Sequence, residues 1–115
     1  MSEKEDKAAS FIPLTESTFL ILLSLLEPKH GYGIMQDAAR ISEGRVKIGP
    51  GTLYGALSAL AKQGLIERRG EQEAGGERRK IYGLTPLGAE VIWLEYTRLE
   101  KLAAATRLAL NEKTR

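Results

Sequence analysis

The residue types that most often carry chemistry are scarce in this chain. It has no cysteine and a single histidine, His30, which lies beside Lys29 in a turn that contains Gly31 and Gly33. Nucleophilic catalysis requires a base beside the nucleophile, and a metal site requires several clustered ligands. The sequence therefore predicts no enzyme, no metal site and no cofactor, and we expect His30 to be structural.

The clearest concentration of functional side chains is basic and lies in the middle of the chain. Residues 1–28 carry two basic and five acidic side chains, residues 29–80 carry ten and six, and residues 81–115 carry five and four. The net charges are therefore −3, +4 and +1, within a total of +2. A basic centre of this kind favours a surface that binds nucleic acid.

A short helix between Pro50 and Gly64 lies in this basic centre. Proline suits the first helical position, and glycine suits the left-handed residue after the last turn. Leu53, Leu57 and Leu60 recur at helical spacing and should face a core. Its outer face is small and nearly uncharged, and consists of Gly51, Thr52, Gly55, Ser58, Ala59 and Lys62. A helix with such small side chains could approach the floor of a DNA groove closely, although alanine and serine are also ordinary helix residues.

The elements around this helix predict a winged helix-turn-helix. A first helix opens at 14–16 with Thr15 as its N-cap, a second covers about 34–41, and residues 45–48 form a short extended segment. After the short helix, strands at 65–69 and 79–84 flank a loop at 70–78 that contains two adjacent glycines. In this order of elements the third helix enters the major groove and the hairpin reaches the neighbouring backbone.

A long helix is predicted from Leu87 to about Leu110, after a start at Thr85-Pro86. Its apolar residues form two seams. The first helix can cover one seam, and a second copy of the chain is the simplest cover for the other, with a longer first helix as the alternative. The seams consist of Leu87, Val91 and Leu94, and of Ile92, Tyr96, Leu99, Leu102 and Ala103.

The predicted fold class is mainly α with a small β-hairpin, a winged helix-turn-helix followed by one long C-terminal helix. We expect a disordered tail at 1–10, the DNA-binding domain at 11–85, a dimerisation helix at 86–110 and a frayed tail at 111–115. The charged N-terminus has no apolar signal core after it, and the apolar run at 19–26 is shorter than the ~20 residues of a membrane span. We expect a soluble, cytoplasmic protein without membrane contact.

Six short motifs support this interpretation: His30-Gly31-Tyr32, Gly51-Thr52-Leu53-Tyr54, Leu57-x-x-Leu60, Gly64-Leu65-Ile66, Arg78-Arg79-Lys80-x-Tyr82 and Leu84-Thr85-Pro86-Leu87-Gly88. Together they resemble the PadR family of bacterial transcriptional regulators. The resemblance covers roughly residues 12–110, and the single helix after the hairpin is similar to the short subfamily with one C-terminal dimerisation helix.

The resemblance implies a homodimer joined through the last helix, which binds a palindromic operator in double-stranded DNA. It also implies a repressor that releases the operator when an effector binds. The implied dimer interface is Ile92, Leu99, Leu102 and Ala103. The predicted DNA-binding residues are Gly51, Thr52, Tyr54, Ser58 and Lys62 on the short helix, and Arg78, Arg79 and Lys80 on phosphates.

Some residues depart from the family pattern. Gly49 and Gly55 stand where many relatives carry larger or polar residues, which favours readout of DNA shape over direct base contacts. Glu71, Glu73 and Glu77 lie in the hairpin loop, where they oppose the phosphates and should lower non-specific affinity.

Two aromatic residues, Trp93 and Tyr96, lie one turn apart on the last helix. In the short subfamily, aromatic residues near the dimer seam can line a flat pocket, so this pair could bind a planar aromatic or cationic small-molecule effector. Ordinary packing of both side chains is the alternative. For the whole chain, the alternative function is a winged-helix protein-interaction module that does not bind DNA.

Overall fold

The computed structural model describes residues 3–114. Five helices and three strands follow one another within these residues: α1 (Glu3–Ala9), α2 (Glu16–Ser24), β1 (Lys29–His30), α3 (Gly31–Ile41), α4 (Pro50–Lys62), β2 (Ile66–Ala74), β3 (Glu77–Leu84) and α5 (Pro86–Thr114). The predicted fold class is confirmed, because the molecule is mainly helical with a small antiparallel sheet and a long last helix.

The core lies where α2, α3, α4 and the first part of α5 meet. Its largest fully buried side chains include Leu22 of α2, Ile34 of α3, Leu53 of α4 and Val91 of α5. Leu57 and Leu60 of α4 are buried with them, so the predicted core face of the short helix is confirmed. This burial fixes α4 by one face and leaves its small face exposed.

The ends of α4 match the start and end predicted from Pro50 and Gly64. Gly49 is the N-cap and Pro50 occupies the first turn. At the other end, Gly64 has a φ of +78°, the Leu65 N–H donates to the Leu60 carbonyl at 3.0 Å, and the Gly64 N–H donates to the Ala61 carbonyl at 3.1 Å. These two bonds form a Schellman ending, which directs the chain into β2.

The sheet has the order β1-β3-β2, and all its pairs are antiparallel. Its third strand is Lys29–His30, which pairs with β3, whereas the predicted extended segment at 45–48 forms no strand. The predicted hairpin loop at 70–78 is also wrong. The strands continue to Ala74 and from Glu77, and they are joined by Gly75 and Gly76, whose φ angles of +60° and +82° suit a two-residue turn.

The second predicted helix begins three residues earlier than expected, at Gly31 instead of Ile34. His30 is the N-cap of α3, and its Nδ1 accepts a hydrogen bond from the Gly33 N–H at 3.2 Å. Histidine is an uncommon capping residue, which is why the sequence gave no signal for this start. The predicted N-cap of α2 is confirmed, since Thr15 accepts from the Thr18 N–H at 3.2 Å.

The termini carry more helix than the sequence analysis expected. Residues 1–10 were expected to be disordered, yet the described part of this segment contains α1, which packs against α5 with Ala8 fully buried. At the other end α5 continues through 111–114, which were expected to fray. With 29 residues, α5 is about 43 Å long.

The residues of the two apolar seams of α5 are divided between the core and the exposed surface differently from the prediction. Val91 is fully buried, and Ile92, which was assigned to the dimer interface, is only 8% exposed and belongs to the protomer's own core. Further along, Leu99 and Leu102 are 38% and 55% exposed, and Ala103 is exposed as well. None of the helices in the described part of the chain has the length and apolar character needed to cross a membrane.

Candidate nucleic-acid interface

A cleft of about 450 Å³ separates α4 from the hairpin of β2 and β3, which we call the wing. The first turns of α3 and α4 form one wall, and β3 forms the other. It is lined by His30, Gly31, Tyr32, Met35, Pro50, Tyr54, Glu77, Arg78, Arg79, Lys80 and Tyr82. The cleft thus brings four of the eight predicted DNA-binding residues together, namely Tyr54, Arg78, Arg79 and Lys80.

The other four predicted DNA-binding residues lie on α4 outside the lining of the cleft. Gly51, Thr52, Ser58 and Lys62 are all exposed, and α4 contains no acidic residue. No side chain caps the first turn of α4. The amide groups at this helix start and the positive end of the helix dipole are therefore open to a phosphate oxygen.

Tyr54 lies over the first turn of α3. A Cβ atom added at Gly31 would come within 2.9 Å of the Tyr54 hydroxyl oxygen and 3.3 Å of a Leu53 methyl group. A side chain at position 31 would require the Tyr54 ring to shift, so glycine at this position allows the ring to rest against α3. The sequence analysis quoted the His-Gly-Tyr motif but did not connect it with the site.

Tyr32 contacts the wing from the same turn. The guanidinium carbon of Arg79 lies 5.8 Å from the centre of the Tyr32 ring, which is cation–π geometry. The His30 and Tyr32 rings stack with their centres 6.5 Å apart. Tyr32 and His30 were missed as site residues, because their role depends on a pairing between β1 and β3 that the sequence did not reveal.

The wing cations differ in their freedom. Arg78 is 82% exposed, Lys80 is exposed, and Arg79 is half-buried against Tyr32. Arg69 is engaged within the wing, where it donates to the Leu84 carbonyl at 2.5 Å and pairs with Glu67 at 3.2 Å. Arg78, Arg79 and Lys80 line the cleft, and Arg78 also lies 3.4 Å from a carboxylate oxygen of Glu71.

Comparison with known proteins agrees with this geometry. The profile of the transcriptional regulator PadR-like family matches residues 20–93, which include α3, α4, the wing and the start of α5. The chain belongs to the PadR-like family. This is a family of transcriptional regulators, not of enzymes.

Two curated relatives are each 35% identical to the PadR-like chain. One is the transcriptional regulator YqjI of Escherichia coli, over 81 residues, and the other is an uncharacterized 37.1 kDa protein in transposon TN4556 of Streptomyces fradiae, over 89 residues. The matches cover 69% and 76% of this chain but only 36% and 24% of the relatives. The chain thus spans about a third or less of the length of the curated relatives that it matches.

A solved structure shares the fold of the PadR-like chain. The crystal structure of a PadR family transcription regulator from Clostridium difficile R20291 superimposes with a TM-score of 0.67 at 23% sequence identity. The match covers 84% of this chain and 99% of that chain. At this identity the likeness shows the fold, which is the winged helix with a long last helix.

The two aromatic residues of α5 in this PadR-like chain form an open pair. Trp93 and Tyr96 are 65% and 48% exposed, and their rings meet edge-on with centres 6.0 Å apart. The Tyr96 hydroxyl donates a hydrogen bond to Glu100 at 2.8 Å, and this carboxylate raises the pKa of Tyr96 above its ordinary value. The pair lies outside the core, so both rings can accept a contact.

Glu95 is an acidic residue in the buried core, with 1% exposure. It accepts hydrogen bonds from Arg98 Nε at 2.5 Å and from the Leu14 N–H at 2.6 Å. The Arg98 bond is the main reason that the pKa of Glu95 is lowered, and the Leu14 bond adds to it, while burial acts in the opposite direction. Glu95 therefore links α5 to the residues just before α2, a role that the sequence did not indicate.

Proposed function

We propose that this PadR-like chain is a dimeric, sequence-specific DNA-binding regulator. In this proposal it acts as a repressor on a palindromic operator and is released by a small-molecule effector. The observation that carries the proposal is the cleft, which is lined by Tyr54 of α4 and by Arg79 and Lys80 of the wing. A nearly uncharged helix face beside the arginines and lysine of the wing suits insertion into a groove with phosphates on its rim.

The small residues of α4 support close approach to the groove floor. Gly51 and Gly55 have open space where a side chain would project, and Ser58 and Thr52 offer hydroxyl groups on the exposed face. Few side chains on this face can form bidentate bonds to a base. We therefore infer that the shape of the DNA contributes to recognition alongside direct contacts.

The exposed part of α5 supports a homodimer. Leu99, Leu102 and Ala103 form an exposed stripe on the part of α5 that follows the core. A second copy can cover this stripe with its own, and the resulting two-fold symmetry would match a palindromic site. In this arrangement each protomer places one α4 in a half-site.

The Trp93–Tyr96 pair supports an effector that is planar and aromatic or cationic. Two exposed rings offer stacking and cation–π contacts, and the adjacent Glu100 provides a negative charge. The same pair in a dimer would lie near the stripe, so that a bound molecule could alter how the two copies meet. Titration of Trp93 fluorescence with planar cations would detect such binding.

Fluorescence anisotropy with two duplexes tests the DNA-binding proposal. The DNA upstream of the gene that encodes this chain and a scrambled duplex would each be titrated with the protein at two salt concentrations. We expect tighter binding to the upstream DNA and weaker binding of both duplexes at the higher salt. Absence of binding at low salt would instead favour a winged-helix protein-interaction module, whose partner would appear in pull-down experiments.

A further inference from the structure

One carboxylate in the wing holds two arginines at once. A side-chain oxygen of Glu71 bonds to Arg68, and its other oxygen lies 3.4 Å from Arg78 Nη1. The strand register also places Glu71 opposite Lys80. Two arginines of the wing therefore pair with one acid, and a lysine is its neighbour on the adjacent strand.

A β-bulge creates this arrangement. Arg68 pairs with Tyr82 and Gly70 pairs with Ile81, so the intervening residue Arg69 has no partner in the register. In a regular strand, residues 68 and 71 would point to opposite faces, because side chains alternate. The extra residue of the bulge shifts this alternation by one position, so that Arg68 and Glu71 lie on the same face as Lys80. Gly70, with a φ of +125°, permits the backbone turn.

We infer that Glu71 competes with DNA phosphates for Arg68 and Arg78 and thereby sets the overall affinity of the wing. This inference rests on the proposed DNA-binding function. A carboxylate and a phosphate are both anions that suit a guanidinium group, so an arginine must leave one to bind the other. Arg68 was not among the predicted DNA-binding residues, and in the free protein Glu71 holds its side chain.

The competition is weak enough to be reversible. All three side chains are substantially exposed, and exposed ion pairs add up to about fivefold to an equilibrium constant. Phosphate contacts carry no sequence information. Glu71 therefore lowers affinity for every duplex by the same factor and leaves the preference for an operator unchanged.

Glu73 provides a matched control within the wing. It is opposite Arg78 in the strand register and exposed, yet it forms no ion pair among residues 3–114. Glu71→Gln and Glu73→Gln remove the same charge from the same hairpin. A difference between the two variants therefore reports the pairing and not the net charge.

The experiment measures the anisotropy of a duplex of arbitrary sequence at about 50 and 200 mM salt. We expect Glu71→Gln to bind several-fold tighter than Glu73→Gln. We also expect the logarithmic salt slope to steepen by about 0.9 for each arginine that gains a phosphate. Adding Arg78→Ala to Glu71→Gln should remove part of the gain.

The outcomes that would overturn the inference are distinct from one another. Equal affinities and slopes for the two glutamine variants would overturn it while leaving the proposed function intact. A gain that persists in full in the double variant with Arg78→Ala would overturn the role of Arg78. A wild-type protein that binds no duplex at low salt would overturn both this inference and the proposed function.

Discussion

Arg79 differs from its neighbours because an aromatic ring holds it. Its guanidinium lies against Tyr32, whereas the Arg78 side chain extends into solvent and contacts Glu71. A cation held in place loses less conformational freedom when it binds a phosphate. If the wing binds DNA as proposed, Arg79 should therefore lose less conformational freedom than Arg78 on contact with a phosphate.

Replacing Arg79 by alanine should weaken binding to every duplex. One phosphate contact per protomer would be lost, so the salt slope should become shallower by about 0.9 for each contact. Anisotropy at two salt concentrations measures both effects. Lys101→Ala, which removes an exposed cation from α5, is the control. An unchanged slope in Arg79→Ala would show that the wing does not contact phosphates through this residue.

Glu95 should make the stability of the fold depend on pH. Because its pKa is lower in the folded chain than the ordinary value of 4.5, its contribution is present above pH 4.5 and is lost as the pH falls through the folded pKa. Glu95→Gln should therefore cost about 1–3 kcal/mol near neutral pH, and this difference should shrink in acid. Urea unfolding at a series of pH values measures both quantities.

Glu112→Gln, at an exposed position on the same helix, serves as the control for Glu95→Gln. It should follow the wild-type stability at every pH. A stability difference between Glu95→Gln and the wild type that stays constant through the acid range would contradict the role of the charged carboxylate.

Single residues were predictable from the sequence where they act locally. Thr15 as an N-cap, and Pro50 and Gly64 as the punctuation of α4, follow from backbone preferences and are confirmed. Tyr32 contacts Arg79, and Glu95 accepts from Leu14 in addition to the nearby Arg98. The contacts with Arg79 and Leu14 join residues that are distant in the chain. No local pattern indicates such contacts, so the sequence could not supply them.

Among the elements, the junction between α4, β2 and α5 is the most tightly constrained. A Cβ atom at Gly88 would lie 2.0 Å from the carbonyl oxygen of Leu65, and that oxygen also accepts the Thr85 N–H at 3.1 Å. The Thr85 hydroxyl in turn accepts the Gly88 N–H at 3.1 Å and donates to the Gly64 carbonyl at 2.5 Å. The start of α5 is thus fixed to the end of α4.

Gly88→Ala should therefore destabilise the fold, by about 3 kcal/mol, because backbone atoms must move to admit one methyl group. Gly55→Ala is a matched substitution in an exposed helix interior with nothing within 4 Å of the new Cβ. It should stabilise the chain by about 0.5–1 kcal/mol. Thermal and urea unfolding measure both, and a Gly88→Ala variant as stable as the wild type would contradict the close contact.

The elements that sequence reasoning misplaced are those formed by long-range pairing. Helices α2 to α5 were predicted from periodicity and caps, and they lie close to the expected positions, whereas α1 lies in a segment that was expected to be disordered. The strand at Lys29–His30 is only two residues long and exists because β3 lies beside it. The sequence predicted a polar loop at 70–78 because both faces of the wing strands are exposed at the tip, so that these residues show no alternating apolar pattern.

At the scale of the whole molecule, the exposed stripe of α5 determines whether the proposed dimer forms. Leu99→Asp should shift the protein to monomers, because it places a charge in an apolar contact. The folded protomer should persist, since Leu99 is already 38% exposed. Sedimentation velocity measures the association state and circular dichroism the helix content.

The control for Leu99→Asp is the same change at Leu108. Nine residues at 100° each place this exposed leucine on the opposite side of α5. Leu108→Asp should leave the association state unchanged. A dimer that survives Leu99→Asp, or one that is lost only with Leu108→Asp, would show that the stripe is assigned to the wrong side of the helix.

The continuity of α5 from Val91 in the core to the stripe at Leu99 has a geometric consequence. Each residue of the helix adds 1.5 Å of rise and 100° of rotation. In the proposed dimer, the number of residues between these two positions therefore fixes the azimuth at which one DNA-binding unit faces the other. One inserted residue would turn the units by 100°, whereas seven would turn them by about 20° and separate them further. In the proposed dimer, α5 would therefore set the rotation of one DNA-binding unit relative to the other as well as join the two copies.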